Sequence, residues 1–177
     1  MKTIISCISA LLLFISICNA QQTKTDPEAR IKELGIQLIT PTPPIANYLK
    51  AVRVGNLVYL SGHGPDKPEG GQVTGKVGSD LTVEQARDAA RLVGISLLST
   101  LKAEVGDLNK VKRIVKVFGM VNAVDTFTQH PKVINGCSDL LVQVFGENGK
   151  HARCAVGMSS LPNNIAVEID MIVELKK

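Results

Sequence analysis

Strand-like and helix-like stretches follow one another in a set order along most of this chain. The residue patterns predict two strands, a long loop, a helix, a strand, a second helix and two final strands. An antiparallel or mixed sheet with both helices packed on one face buries their apolar sides in the simplest way. The predicted fold class is therefore α+β, with a mostly antiparallel sheet and two helices on one face.

The core of this fold has to be aliphatic. A chain of 177 residues fits one domain, and its apolar fraction of 45% is enough for a substantial core. Trp is absent and aromatic residues make up only 3%. Val, Leu, Ile and Ala are therefore expected to fill the space between the sheet and the helices.

Turn and cap signals bound the first predicted elements. Residues 49–53 and 57–61 are predicted to form a hairpin, because the Gly-Asn pair between them suits a tight turn. Residues 62–78 are rich in Gly and Pro and indicate a long loop, a kind of segment that is often functional. Thr82 with Gln85 three residues later is a capping-box pattern, which predicts the start of the first helix.

The second half of the chain continues the same pattern. A strand is predicted over residues 110–121, and a loop follows it. The second helix is predicted to begin at Pro131 or Lys132 and to end at Gly146.

Residues 1–20 have the pattern of a secretory signal peptide. A Lys follows Met1, residues 4–17 are apolar or small, and Ala20 stands at the expected cleavage position. An uncleaved membrane anchor is the alternative, but the apolar run is short for a membrane span. We therefore predict an exported protein, periplasmic or secreted, with no membrane attachment after cleavage.

Residues 21–45 are predicted to be a leader that precedes a folded domain of residues 46–177. A short helix begins at Pro27, with Asp26 as its cap. Residues 40–44 then form a stiff, proline-rich linker.

Charge and cysteine content narrow the possible functions. Loss of residues 1–20 would remove Lys2 and take the formal charge from +4 to +3, which is too small to indicate nucleic-acid binding. It would leave Cys137 and Cys154, which are predicted to be separate buried residues and not a disulfide.

No sequence motif indicates a metal or a cofactor. The Gly-rich segment after residue 61 lacks the spacing of a phosphate-binding loop, and His63, His130 and His151 are far apart in sequence. No Gly-x-Ser-x-Gly segment marks a serine nucleophile, although a Ser-His-Asp arrangement assembled by the fold stays open. The lysines lack the aromatic neighbours of RNA-binding sheets. We therefore predict no metal, no cofactor and no nucleic-acid partner.

Two charged residues of the C-terminal stretch can be compared by their positions on two predicted strands. Residues 151–170 are predicted to be two strands joined by a Leu-Pro-Asn-Asn turn, with Arg153 in the first strand and Glu168 in the second. In a hairpin that closes near residues 160 and 161, Arg153 and Glu168 lie opposite each other and share a face. A register slip of one residue would put them on opposite faces. From the residues alone, an exposed ion pair worth under about 1 kcal/mol is the simplest interpretation.

Three more polar residues stand beside apolar strands or within the second helix. Tyr48 precedes the first strand, Ser61 ends the second, and Asn135 lies in the second helix. Each has a simple structural interpretation, respectively as a packing residue, a strand terminator and a helix-surface residue.

Three segments together carry a family resemblance. They are residues 48–62 with the run Val-Gly-Asn-Leu-Val-Tyr-Leu-Ser-Gly, residues 111–118 followed by Asp125-Thr-Phe, and the Ala152-Arg, Leu161-Pro and Val167-Glu-Ile pattern. Over about residues 46–175 the chain resembles the RidA family, also called the YjgF family, of reactive-intermediate deaminases, as a divergent and exported branch. The resemblance implies a chorismate-mutase-like fold, assembled as a homotrimer with ligand clefts between neighbouring subunits.

The resemblance also implies a function and its residues. Arg153 would grip a substrate carboxylate, and Glu168 would position or deprotonate a water. Tyr48, Ser61 and Asn135 match positions that line the cleft. The implied reaction is hydrolysis of a small imino acid, such as 2-iminopropanoate from 2-aminoacrylate, to a keto acid and ammonia. The alternatives are a non-catalytic protein that binds small carboxylates, and a ribonuclease or translation inhibitor.

Several positions depart from the pattern of the family, among them Ala46-Asn47, which stand where the family has Gly-Pro before the tyrosine. The family has a cysteine two residues after the arginine, where this chain has Ala155, whose backbone carbonyl can still hold a water. Cys154 comes one residue early, and on a strand this shift turns the thiol to the opposite face. His63 stands where a glutamine is common in the family. It would act either as an added acid–base group or as an ordinary loop residue.

Overall fold

The structure is a computed structural model that describes residues 25–41, 43 and 46–177. The predicted signal peptide, residues 1–20, lies outside the described residues, as do parts of the leader and of the proline-rich linker. Export and cleavage therefore stay predictions.

The described chain forms three α-helices and five β-strands, in the predicted order with a short helix in front. In chain order they are α1 (Pro27–Glu33), β1 (Ala51–Val54), β2 (Leu57–His63), α2 (Val83–Val105), β3 (Val111–Asn122), α3 (His130–Phe145), β4 (Ala152–Met158) and β5 (Val167–Leu175).

Helix caps account for where α1 and α2 begin, as predicted. The Asp26 carboxylate accepts hydrogen bonds from the first backbone N–H groups of α1, at 3.0 and 3.1 Å. At α2, the Thr82 hydroxyl accepts from the Gln85 N–H at 3.2 Å, and the Gln85 side chain accepts from the Thr82 N–H at 2.9 Å. This reciprocal pair satisfies N–H groups that have no partner within the helix.

The five strands form one sheet in the order β1-β2-β5-β3-β4. The predicted β1–β2 hairpin is confirmed, and its turn contains Gly55 at a φ of 62°, a conformation that glycine adopts without strain. The pairs β1–β2, β2–β5 and β3–β5 are antiparallel, whereas β3 and β4 are parallel. The prediction of a mostly antiparallel sheet is confirmed.

The predicted C-terminal hairpin is wrong, because β4 and β5 lie on opposite sides of β3. Helix α3 connects β3 to β4 and returns the chain to the end of the sheet where β3 began. A strand that follows such a crossover runs parallel to the strand before it. Residues 159–166 then pass over the end of the sheet, where Ala166 N–H donates to the Val73 carbonyl at 3.0 Å, and β5 enters between β2 and β3.

Both α2 and α3 pack on one face of the sheet, as predicted, and the core lies between them and that face. Residues of β5 alternate strictly, with Val167, Ile169, Met171 and Val173 buried against the helices. Apart from Phe145, the buried apolar side chains of the described chain carry no aromatic ring, which confirms the predicted aliphatic core.

The opposite face of the sheet, which we call the open face, carries the alternate residues of the strands. Tyr59 pairs with Ile172 of β5, and Ile172 pairs with Lys116 of β3. Tyr59 keeps 43% and Val52 of β1 keeps 46% of its surface exposed. The open face is therefore partly apolar and is left uncovered by α2 and α3.

The two cysteines of the described chain are both free, but only one is buried. Cys137 lies inside α3, and burial raises the pKa of its thiol to about 12. Cys154 is exposed on β4, so the prediction of two buried cysteines is wrong for this residue. Its side chain shares the open face with Phe118, which the helices do not cover.

Candidate functional site

Arg153 and Glu168 lie on opposite faces of the sheet. Arg153 pairs with Val117, and Val117 pairs with Met171, so these three residues share the face that packs against the helices. Glu168 is three residues from Met171 on the regularly alternating β5 and points to the open face. The prediction that Arg153 and Glu168 share a face is wrong, because it assumed a hairpin where β3 separates the two strands.

Arg153 is held by two side chains of α3. Its Nη1 donates to Asn135 Oδ1 at 2.8 Å and to Ser138 Oγ at 3.0 Å. Asn135 and Ser138 are three residues apart, which places them on one face of the helix. The structure thus brings together Arg153 and the predicted cleft residue Asn135, and adds Ser138, which sequence analysis missed although its helical spacing from Asn135 could have revealed it.

His151 extends this cluster. Its Nε2 lies 3.1 Å from Ser138 Oγ, and its Nδ1 lies 2.6 Å from the Gly149 carbonyl oxygen. Burial lowers the pKa of His151, and the positive charge of Arg153 lowers it further, against the opposing effect of the Gly149 hydrogen bond. The imidazole is therefore neutral near pH 7.

Glu168 lies against the backbone of β2 at a β-bulge. The register between β2 and β5 shifts between Leu60 and His63, and in this irregular stretch Gly62 faces the Glu168 carboxylate. A Cβ at residue 62 would overlap the Glu168 Oε1. Burial raises the pKa of Glu168, and the negative charge of Asp170 on the same face raises it further. A carboxyl group with a raised pKa is suited to exchanging protons near neutral pH.

Ser61 precedes Gly62 on β2, the strand that packs against Glu168. Ser61 Oγ donates to the Leu49 carbonyl at 2.6 Å, and Ser61 N–H donates to the Lys50 carbonyl at 3.0 Å. These bonds hold the segment that contains Tyr48, whose side chain is 46% exposed. The predicted site residues therefore divide into two half-sites. The arginine half-site is Arg153, Asn135, Ser138 and His151, and the glutamate half-site is Glu168, Gly62 and Ser61. Tyr48 lies one residue before Leu49, whose carbonyl accepts from Ser61.

The register of β4 explains where Ala155 and Cys154 point. Ala155 pairs with Gly119 on the helix-covered face that also carries Arg153, whereas Cys154 pairs with Phe118 on the open face. The expectation that the early cysteine turns away from the arginine is confirmed. The predicted role of the Ala155 carbonyl in holding a water stays a prediction.

His63 lies in the core and not in a loop. Its Nδ1 lies 2.6 Å from the Ser61 carbonyl oxygen and its Nε2 lies 2.8 Å from Thr100 Oγ1 on α2. Burial lowers the pKa of His63. This side chain joins the end of β2 to α2, beneath the glutamate half-site.

Comparison of the sequence with known proteins identifies the family to which the chain belongs. The family model described as "YjgF/chorismate mutase-like, putative endoribonuclease" matches residues 28–175. The chain belongs to the RidA (YjgF) family. The matched segment includes every residue of both half-sites.

Individual proteins resemble the chain over most of its length. Protein TCP17 of Trypanosoma cruzi is 44% identical over 148 residues, which are 83% of this chain and 92% of that protein. The 2-iminobutanoate/2-iminopropanoate deaminase of the mite Dermatophagoides farinae is 30% identical over 134 residues, which are 75% of this chain and 89% of the mite protein. The crystal structure of protein Atu1372 of Agrobacterium tumefaciens, of unknown function, is similar with a TM-score of 0.79 and 46% identity, covering 85% of this chain and 92% of that one.

Within the described part of this RidA-family chain, no three side chains of His, Cys, Asp or Glu come together as a metal site. Over the same residues, no helix has the length and apolar character needed to cross a membrane.

Proposed function

We propose that this protein hydrolyses small imino acids to keto acids and ammonia, with Arg153 binding the substrate carboxylate. One observation carries the proposal. The half-buried guanidinium of Arg153 is fixed by two neutral side chains, and none of the described carboxylates forms an ion pair with it. A partly buried cation without an anionic partner favours an anionic ligand, and a guanidinium fits a carboxylate with two parallel hydrogen bonds. The name of the mite relative supports an imino acid as that ligand.

The second half of the proposal is that the site forms between two copies of the chain. One chain cannot offer both Arg153 and Glu168 to a small substrate, because they point to opposite faces of the sheet. A second copy can place its glutamate half-site against the arginine half-site. We propose a homotrimer with a site at each of its interfaces, in which the apolar open face provides surface to bury.

The chemistry needs only the groups of these two half-sites. Water adds to the imine carbon and gives a tetrahedral carbinolamine, from which ammonia leaves as the carbonyl forms. Glu168 takes a proton from the water and returns a proton to the leaving nitrogen, a role that its raised pKa favours. Arg153 holds the substrate so that its imine carbon meets the water, and this proximity supplies much of the rate increase.

Activity is tested on the protein without residues 1–20, mixed with freshly generated 2-iminobutanoate. We expect faster formation of 2-oxobutanoate and ammonia than in buffer alone. Arg153→Ala should lose this acceleration together with binding, whereas Glu168→Gln should lose the acceleration and still bind 2-oxobutanoate. Wild-type protein that binds 2-oxobutanoate without accelerating hydrolysis would instead identify a carboxylate-binding protein. Acceleration that persists in Arg153→Ala would contradict the proposal.

The shared site is tested by mixing two inactive variants. Arg153→Ala subunits still carry Glu168, and Glu168→Ala subunits still carry Arg153. If each site combines an arginine from one subunit with a glutamate from the next, random co-assembly restores about one quarter of the sites. Co-expressed variants should therefore recover activity that neither has alone. Mixed oligomers that remain inactive would contradict a shared site.

Export is also part of the proposal, and the sequence pattern of residues 1–20 supports it. Expression of the full chain in its source cells should yield a mature protein that begins at or near Gln21. Amino-terminal sequencing of the cell fractions measures this, and a cytoplasmic protein that keeps residues 1–20 would contradict it.

A further inference from the structure

A chain of hydrogen bonds runs from the arginine half-site to the backbone before β4. Arg153 Nη1 lies 3.0 Å from Ser138 Oγ, and Ser138 Oγ lies 3.1 Å from His151 Nε2. His151 Nδ1 lies 2.6 Å from the Gly149 carbonyl oxygen. These hydrogen bonds connect three elements, namely β4, α3 and the 3-10 helix Gly146–Gly149.

The chemistry of the end groups sets the direction of every bond in this chain. The Gly149 carbonyl can only accept, so Nδ1 of His151 carries a hydrogen. The neutral ring has one hydrogen, and Nε2 is therefore an acceptor that receives the Ser138 hydroxyl hydrogen. A guanidinium only donates, so Ser138 Oγ accepts from Arg153 while it donates to His151. Every donor and acceptor along the chain is matched.

We propose that Ser138 and His151 are positioning residues that hold the Arg153 guanidinium in the orientation for binding a carboxylate. This inference rests on the proposed function, because it takes Arg153 to be the ligand of the carboxylate. Within the described chain, Nη1 alone of the guanidinium nitrogens donates to other side chains, to Asn135 and Ser138. Fixing Nη1 leaves Nη2 and Nε free to make two parallel hydrogen bonds to a substrate carboxylate.

Protonation of His151 breaks this arrangement. Nε2 would then carry a hydrogen, so Ser138 Oγ would face two donors and its own hydrogen would lose its acceptor. The new positive charge would also lie close to Arg153. Binding of the carboxylate is therefore expected to weaken as pH falls and His151 becomes protonated, and to be fully developed when His151 is neutral.

The described charged groups around His151 have other partners or lie on another face, apart from Arg153. The charge of Arg153 lowers the pKa of His151. Asp139, beside Ser138 on α3, is bonded to Arg87 at 2.8 Å. Glu147 of the 3-10 helix is bonded to Lys150 at 2.8 Å. The Cys137 thiol on α3, with its pKa raised to about 12, is neutral. Lys116 of β3 pairs with Ala152 on the open face, opposite to the face that carries Arg153.

The test is the affinity for 2-oxobutanoate, a keto acid that cannot be hydrolysed, measured by calorimetry from about pH 8 to about pH 5. Wild-type protein should lose affinity toward the acid end of this range. Ser138→Ala and His151→Leu should bind roughly three- to tenfold more weakly at pH 8, because a hydrogen bond to a charged group is lost or misdirected. His151→Gln offers a non-titrating amide near the position of Nε2 and should bind well with a flatter pH profile. His130→Gln, a change at another half-exposed histidine, is the matched control and should behave as wild type.

Two further readouts separate the possible failures. Nitrogen-15 NMR of the imidazoles should show the hydrogen on Nδ1 of His151, whether or not ligand is present. A hydrogen on Nε2, or wild-type affinity and pH profile in Ser138→Ala and His151→Leu, would overturn the inference while leaving the carboxylate site intact. Wild-type affinity in Arg153→Ala, or no binding by the wild-type protein, would overturn the proposed function and this inference with it.

Discussion

At the residue scale, the contact between Gly62 and Glu168 shows how the glutamate half-site is built. The bulge in β2 brings backbone without a side chain against the carboxylate, and the three atoms nearest to a Cβ at residue 62 all belong to Glu168. A side chain at residue 62 would therefore have to displace the end of the Glu168 side chain, although residue 62 has no positive φ. The contact partly buries an acid that has no hydrogen-bond donor among the described residues, which is why burial is the main cause of its raised pKa.

Gly62→Ala should destabilise the protein by about 1 kcal/mol or less, at the low end of overpacking effects, because the new methyl displaces only the flexible end of the Glu168 side chain. Urea unfolding measures the loss. The matched control is the same change in a Glu168→Ala background, where the overlapping side chain is gone and most of the loss should disappear. Equal losses in both backgrounds would mean that the carboxylate is not what limits residue 62.

Glu168→Gln should raise the free energy of unfolding at pH 7. The pKa of Glu168 is raised in the folded state, so the folded protein holds this proton to a higher pH than the unfolded chain does. Stability is therefore lost as pH rises from the ordinary range near 4.5 through the folded pKa, and a neutral amide avoids that loss. Unfolding curves of both proteins between about pH 4 and about pH 7 measure the effect. A gain that does not shrink toward acid pH would contradict this origin.

At the element scale, the close approach of α2 and α3 positions the arginine half-site. A Cβ at Gly136 of α3 would overlap the backbone carbonyl oxygen of Arg87 on α2, which cannot move without moving the helix. Residue 136 lies between Asn135 and Ser138, the two residues of α3 that hold Arg153. The close packing of α3 on α2 therefore fixes the helix that carries Asn135 and Ser138.

Gly136→Ala should force α3 away from α2 and cost about 3 kcal/mol or more, at the upper end of overpacking effects. Thermal and urea unfolding measure the loss of stability. Affinity for 2-oxobutanoate should fall as well, because Asn135 and Ser138 move with the helix. Asp139→Ala is the matched control in the same helix. It removes an exposed ion pair with Arg87 and should change the free energy of unfolding by under about 1 kcal/mol.

At the scale of the whole molecule, the two faces of the sheet differ in what covers them. One face is closed by α2 and α3 and contains the core. The open face carries Tyr59 and Ile172 at its centre together with the half-buried Glu168. These features of the open face support the proposal that it completes a site with another copy of the chain.

Ile172→Asp should leave the subunit folded and prevent its assembly. Ile172 belongs to the open face, so the change adds a charge there without disturbing the core between the sheet and the helices. Light scattering should show smaller particles than for wild type, far-ultraviolet circular dichroism should be unchanged, and hydrolysis of 2-iminobutanoate should be lost. Thr128→Asp, a change at an exposed loop residue, is the control. Wild-type mass and activity in Ile172→Asp would contradict assembly through the open face.

Local signals in the amino-acid sequence were sufficient to predict several of the helices and strands. Asp26, Thr82 with Gln85, and the Gly-Asn turn each act within a few residues, and the structure has α1, α2 and the β1–β2 hairpin where they predicted them. The aliphatic composition likewise determined the kind of core. Arg153 and Asn135 were identified through family resemblance, and the structure joins them directly.

Strand pairing depended on contacts between distant parts of the chain, and it could not be read from local patterns. The turn at residues 161–164 suggested a hairpin, but α3 places β4 parallel to β3 and leaves β5 to pair on the other side. That choice puts Arg153 and Glu168 on opposite faces and brings Ser138 and His151 to the arginine. Residue types and helix ends are set by neighbours in sequence, whereas the face that a side chain occupies is set by which strands pair, and that is decided by the packing of the whole sheet against its helices.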